Sequence, residues 1–211
     1  MQGKLFLLAK DFGLIWGQLP QSVSHRHFTI QLTVSDQPFA LQTPSGLLHT
    51  KHAIIASNVP HRIDTSPTQR LLVLNTNPIS QLGFWCRSQL ANHEAMKGDD
   101  LFFSFLWEET QQVALQLVEA NTLEKRIQHF LLQHTEPIAS QLDARIMKCL
   151  SILRDAKEAP SAAEVARHLQ LSESRFLHLF KQETGLTYRR IILWFRLEKS
   201  FRTFPSCSSL T

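Results

Sequence analysis

Hydrophobic and polar positions follow two different periods along the chain, and the change comes near residue 85. Through "HFTIQLTV" (27–34) they alternate, with Phe28, Ile30, Leu32 and Val34 on one face and Thr29, Gln31 and Thr33 on the other. That is the pattern of a strand with one face buried. Shorter runs at "FGLIWG" (12–17), "PFALQ" (38–42), "HAIIAS" (52–57) and "RLLVLN" (70–75) predict further strands. Turn-formers separate them at "SDQP" (35–38), "TPSG" (43–46) and "SNVP" (57–60). Short strands at this spacing predict a small barrel or sandwich.

From about residue 86 the period is helical. "NTLEKRIQHFLLQ" (121–133) sets Leu123, Ile127, Phe130 and Leu131 on one face, with Asn121 and Glu124 as an expected cap pair. Periodicity does not separate helix from strand over "LFFSFLW" (101–107), and helix is the reading taken. "EPIASQL" (136–142) reads as a joint before an all-helical end. There "DARIMKCLSILRD" (143–155) aligns Ile146, Leu150 and Leu153. In "PSAAEVARHLQ" (160–170) Ser161 and Glu164 have the spacing of a capping box, and Val165, Ala166 and Leu169 form the apolar stripe. After a break at "QLS" (170–172), Ser172 caps a helix that turns Phe176, Leu179 and Phe180 inward and leaves Ser174, Arg175, His178, Lys181 and Gln182 outside.

Charge sharpens this division. Residues 1–143 hold 10 Lys/Arg against 12 Asp/Glu, whereas residues 144–211 hold 12 against 6, so the helical end carries +6. A basic end on a mildly acidic body is suited to a polyanion, or is a solvated basic face. Cys86, Cys149 and Cys207 lack any zinc-like spacing and fit free thiols in a reducing compartment. With no apolar run of membrane-spanning length and no signal-peptide pattern at the start, the expectation is a cytoplasmic protein without a membrane partner.

Two short helices, a tight turn and a basic, polar outer face on the second helix describe a helix-turn-helix. Beyond that pattern, "AAEVARHLQLSESRFLHLFKQETGLTYRRIILWFRLEKS" (162–200) resembles the first helix-turn-helix and linker helix of AraC-type (AraC/XylS) transcription regulators. The matching residues are Ala166, Leu171-Ser172, Phe176, "LFK" at 179–181, Gly185 and Arg196-Leu197. The resemblance implies double-stranded operator or promoter DNA as partner. Ser174, Leu177 and His178 would meet bases, with Ser172, Arg175, Lys181, Gln182, Arg189 and Arg190 completing the DNA-binding set. Gln170 stands where the family has a glycine in a left-handed turn, Tyr188 where it has a proline, and Ile191 where it has a tyrosine. The family also carries a second helix-turn-helix. Here "PSCSSLT" (205–211) follows the linker helix, so the expectation is half of that reader, apparently truncated before its second half.

Further back, "SHRHFTIQLTV", "IIASNVPHRID" and "LLVLNTNPIS" resemble the cupin-like sensor barrel found in some of these regulators. His25 and His27, two apart in extended chain, point to the same side, and His61 is a natural third. Three imidazoles around an open position suit zinc, iron or manganese, as in enzymatic cupins. The carboxylate that metal-binding cupins add is absent, since Gln31 and Thr33 stand there. The expectation is therefore no metal or cofactor, with His25, His27, Gln31 and His61 facing a small-molecule effector; a metal on His25, His27 and His61 is the alternative. No other nucleophile–base arrangement stands out, and the acidic pairs at 99–100 and 108–109 read as solvated faces.

The fold expected is α+β: a cupin-like barrel over 1–85, a helical linker and dimerisation segment over 86–142, and an AraC-type DNA-binding domain over 143–211. The function expected is a non-enzymatic, effector-controlled transcription regulator, either activator or repressor, acting as a homodimer. The alternatives are a sensor that no longer binds DNA and a cupin metalloenzyme.

Overall fold

The computed structural model of the chain describes residues 4–9, 11–21, 23–134, 142–156 and 158–203. All but the last position of the expected joint at 136–142 lies outside them, as do Cys207 and the tail at 205–211. The chain divides into two compact units, Met1–Thr135 and Glu136–Thr211.

The first unit is mixed α+β. Its strands are β1 (Leu5–Leu8), β2 (Phe12–Gln18), β3 (Ile30–Thr43), β4 (Gly46–Ile55), β5 (Arg62–Asp64), β6 (Arg70–Thr76) and β7 (Ala95–Met96). They form one sheet in the order β1-β2-β6-β3-β4-β7, with β5 pairing with β3 off that path. Each described pairing of named strands is antiparallel. The path does not return from β7 to β1, so the closed barrel expected from strand spacing is instead an open sheet.

The strands expected at 27–34 and 38–42 are one strand. "SDQP" does not turn the chain; it makes a register shift between Val34 and Phe39 within β3. Ahead of the shift β3 lies between β4 and β6, and behind it between β4 and β5. Phe28, expected on the buried stripe, precedes the strand and is 46% exposed.

Three helices follow: α1 (Gln81–Leu90), α2 (Asp100–Ala114) and α3 (Ala120–His134). Their apolar stripes, including Leu82, Phe102, Leu106 and Ile127, share one core with Ile30, Leu32, Ile54 and Leu72. The opposite face of the sheet is buried as well. Phe39, Leu41, Ala53, Ile55, Ile63 and Leu71 form a second cluster there. Gln31 pairs with Ile55 and Asn75, and Thr33 with Ala53 and Val73, so both polar residues belong to that second face. They are 2% and 0% exposed, which corrects their reading as the wet side of β3.

Helix ends follow local chemistry, with one departure. Asn121 lies inside α3 and does not cap it. Of the acidic pairs, Asp99, Asp100 and Glu108 are exposed as expected, and three of the four residues also have partners. Asp99 caps α2 through Phe102 N, Asp100 meets His52 Nε2 at 2.7 Å, and Glu109 pairs with Arg126 of α3.

The second unit is all helical: α4 (Ala144–Asp155), α5 (Ala162–His168), α6 (Glu173–Thr184) and α7 (Tyr188–Thr203). Ile146, Leu150 and Leu153 are buried along α4 as the spacing predicts. No helix among the described residues is long and apolar enough to cross a membrane.

Candidate functional site

Two groups of residues bear on function, one in each unit. In the second, α5 opens with the capping box: Ser161 Oγ accepts from Glu164 N and the Glu164 carboxylate accepts from Ser161 N. The turn is forced at Gln170, whose φ of 55° is left-handed. Ser172 then caps α6, accepting from Arg175 N at 3.3 Å, so its hydroxyl serves the helix end. Gly185, at φ 73°, closes α6 with its N–H donating to Lys181 O.

Packing fixes which face of α6 looks outward. Phe176, Phe180 and Tyr188 form a triangle with ring centroids 5.2–5.8 Å apart. All three are buried, and Tyr188 Oη donates to Pro160 O at 2.8 Å. The phenol so held has its pKa raised, chiefly by burial. Tyr188 thus ties the start of α7 to the segment before α5, a role its sequence position did not disclose. With that side committed, Ser174, Arg175, His178, Lys181 and Gln182 are exposed and Leu177 is 37% exposed. Arg189 is exposed and Arg190 half-buried on α7. Among the described residues neither Arg175 nor Lys181 enters an ion pair.

In the first unit the three histidines of the sequence pattern do come together. A two-way backbone bridge holds His25 beside His61, with N···O distances of 3.1 and 2.9 Å. One ring nitrogen from each of His25, His27 and His61 lies within 4.8 Å of the others. His25 is exposed, His27 half-buried and His61 buried. Burial pulls the His61 pKa down to about 4; the hydrogen bond to the Val59 carbonyl opposes this, and His27 and His25 add to it. Gln31 joins the group, with Oε1 2.7 Å from His27 Nε2 and 3.3 Å from His61 Nε2. Sequence spacing missed Thr29 and Asn75: Thr29 Oγ1 lies 2.8 Å from His27 Nδ1 and 2.9 Å from Asn75 Oδ1. The polar position of Asn75 within the apolar run of β6 was the available signal.

The backbone also sets the tautomers. His25 Nδ1 faces Val23 O at 2.9 Å, His61 Nδ1 faces Val59 O at 2.9 Å, and His27 Nδ1 faces Thr29 O at 3.2 Å. A carbonyl only accepts, so Nδ1 of His25 and of His61 carries the proton and Nε2 is the bare nitrogen of the neutral ring; on His27 the nearer partner of Nδ1 is the Thr29 hydroxyl at 2.8 Å while Nε2 faces the Gln31 amide oxygen, so the contacts serve either tautomer. Anchored Nδ1 and free Nε2 is how metal-ligating histidines are held. The residues present therefore fit a divalent ion on His25, His27 and His61, which would act there as a Lewis acid. An open cleft of about 680 Å³ is lined by the chain neighbours Ser24, Pro60 and Arg62, but His25, His27, Gln31 and His61 are not among its lining residues.

No family model matches the chain, and no curated protein matches it. Among solved structures, the chain is similar to an apo ToxT variant from Vibrio cholerae at 10% identity, covering 91% of this chain and 82% of that one with a TM-score of 0.47. It is similar to CuxR, described as an AraC-like transcriptional activator, at 10% identity, covering 98% and 82% with a TM-score of 0.46. An RmlC-like cupin from Shewanella frigidimarina is similar over 35% of this chain and 73% of its own, at 12% identity and a TM-score of 0.30.

Proposed function

We propose that this chain is a DNA-binding transcription regulator of AraC type whose first unit senses a small effector. The observation that carries the reading is the outer face of α6. Packing of Phe176, Phe180 and Tyr188 leaves Ser174, Arg175, Leu177, His178, Lys181 and Gln182 together on the solvent side of a capped helix that follows a left-handed turn. These side chains match the work: His178 and Ser174 hydrogen-bond base edges in the major groove, Leu177 meets a thymine methyl, and Arg175 and Lys181 hold phosphates. Arg189 and Arg190 extend the basic surface onto α7. A homodimer would bring two such helices to two half-sites. In this reading the chain carries no catalytic step, and the effector meets His25, His27, Gln31 and His61.

The test is fluorescence anisotropy of the full chain on its own upstream DNA and on random DNA, over a range of salt. Binding should favour the upstream fragment. Lys181→Ala should weaken every sequence alike and flatten the salt slope by about 1. His178→Ala should lower discrimination by about 1–3 kcal/mol at the position it reads. Equal, weak binding to both DNAs would refute the reading and leave a sensor without a DNA-reading role.

A further inference from the structure

The backbone bridge between His25 and His61 has two sides. Its antiparallel register sets Ser24 opposite Arg62, and alternation turns both away from the side that carries the two imidazoles. β5 continues the division. His61 and Ile63 are 1% and 4% exposed, while Arg62 between them is exposed. Gln42 of β3 pairs directly with Arg62, so its side chain shares that outer side. Gln42, Arg62 and Ser24 therefore form a row across three adjacent segments, with Cβ atoms about 5 Å apart from one to the next. All three line the open cleft of about 680 Å³, which Gln21, Pro44 and Pro60 help to wall.

The chemistry of the row is specific. Arg62 is the one charged side chain lining the cleft among the described residues. Its Nε donates to Asp64 Oδ1 at 2.7 Å, which fixes the guanidinium plane and leaves the two Nη groups as the edge offered to a ligand. That edge matches a carboxylate in a two-bond fork. Asp64 beside it halves the attraction for negative charge, so a single carboxylate suits the cleft better than a doubly charged phosphate. Among the described residues the side chains of Gln21, Ser24 and Gln42 make no hydrogen bond, which leaves two amides and a hydroxyl to read further oxygens. Pro44 and Pro60 add apolar wall to these few polar groups, the mixture that small-molecule sites use.

We propose that this cleft binds a small hydroxylated carboxylate, such as a sugar acid: the Arg62 Nη edge forks the carboxylate, Gln42, Ser24 and Gln21 bond its hydroxyls, and the prolines pack on its carbon chain. Because the row flanks Arg62 on both sides, it calls for oxygens on either side of the carboxylate. Acetate lacks the flanking oxygens, and an uncharged polyol lacks the centre. The cleft lies across the bridge from the histidine group, so it is a second ligand site. It does not depend on the DNA-binding reading, because its test involves no DNA.

The experiment is calorimetry of the full chain with gluconate, beside sorbitol, acetate and inorganic phosphate. Gluconate should saturate one site per chain, and sorbitol and acetate should each bind at least about tenfold more weakly. Arg62→Lys keeps the charge and loses the fork, so gluconate should bind it about tenfold more weakly or worse. Gln42→Ala should cost about fivefold. Both positions are exposed, and both variants should unfold at the parent temperature. Lys51→Ala removes an exposed charge outside the cleft and should bind as the parent does. Amide NMR shifts on adding gluconate should cluster at 21–24, 42–44 and 60–62. No saturation by about 10 mM gluconate would overturn the proposal. So would sorbitol or phosphate binding as tightly as gluconate, or Arg62→Lys binding it as the parent does. Shifts centred on Gln31 and Asn75 instead would assign the ligand to the histidine group and remove the cleft as a site.

Discussion

Replacing Gln170 with glycine should stabilise the second unit. Gln170 holds φ at 55°, and its N–H still donates to Arg167 O at 3.1 Å, so the left-handed turn is part of how α5 ends. A residue with a Cβ in that region is disfavoured by about 1–2 kcal/mol. The side chain is exposed, so shortening it removes no packing. Glycine gains unfolded-chain freedom worth about 0.4–1 kcal/mol against the fold, leaving a net gain of about 0–1.6 kcal/mol, or about 0.8 kcal/mol at mid-range. In a domain of this size that raises the Tm by about 2–8 °C. The assay is thermal unfolding of the full chain together with hydrogen exchange of the α5 and α6 amides, beside Gln170→Val as the opposite control. The glycine chain should unfold later and protect those amides better, while valine should do the reverse. A glycine variant no more stable than the parent would refute the claim that the turn is strained.

Other changes probe the remaining supports. A Cβ at Gly83 would lie 2.1 Å from Asn77 O and 2.7 Å from the Pro78 backbone, so Gly83→Ala should cost about 1–3 kcal/mol in urea unfolding by overpacking the start of α1. Tyr188→Phe leaves the triangle of rings but strips Pro160 O of its donor, and a loss of about 1 kcal/mol should appear in the second unit's unfolding. Asp143 caps α4, and Arg145 beside it pulls its pKa down to about 2. Because the folded value is the lower one, its contribution is present above the ordinary carboxyl range and is lost as pH falls through about 2. An acid titration of helicity should show that loss in the parent and a flatter curve in Asp143→Asn.

The features legible in the sequence are those whose physics is local. The capping box at Ser161 and Glu164 and the cap at Ser172 each depend on atoms within a few residues, whereas the left-handed turn at Gln170 came from the family resemblance alone. The apolar faces of α4 and α6 followed from period alone. Alternation in β3 named the residues that share a face but not what covers each one. Gln31 and Thr33 were read as wet because they are polar, yet the sheet's second face carries its own apolar cluster. Pairing partners of short strands such as β5 and β7 are set by register between distant segments, and no local pattern encodes them. His25, His27 and His61 were found by spacing and type. Their tautomers were not, because these depend on where the Val23 and Val59 carbonyls point.

The histidine group is held by contacts that run on into the sheet. His27 Nδ1 meets Thr29 Oγ1, Thr29 meets Asn75, and Asn75 pairs with Gln31 across β3 and β6, which closes a ring through the sheet. Asn75 is followed by Thr76, whose Oγ1 lies 3.0 Å from the Ser80 hydroxyl, and that hydroxyl accepts from Gly83 N as the cap of α1. Asn75 is joined to Thr76 through the chain alone, so a ligand held by the rings reaches the first turn of α1 by hydrogen bonds on either side of one covalent step. Zinc should accordingly alter hydrogen exchange over the first turn of α1 as well as in the loops holding His25 and His61. Thr29→Val keeps the shape of the side chain and cuts the ring at its hydroxyl. It should leave the loop response in place and abolish the response of α1. If zinc changes exchange only in the histidine loops of the parent protein, the ring transmits nothing to α1.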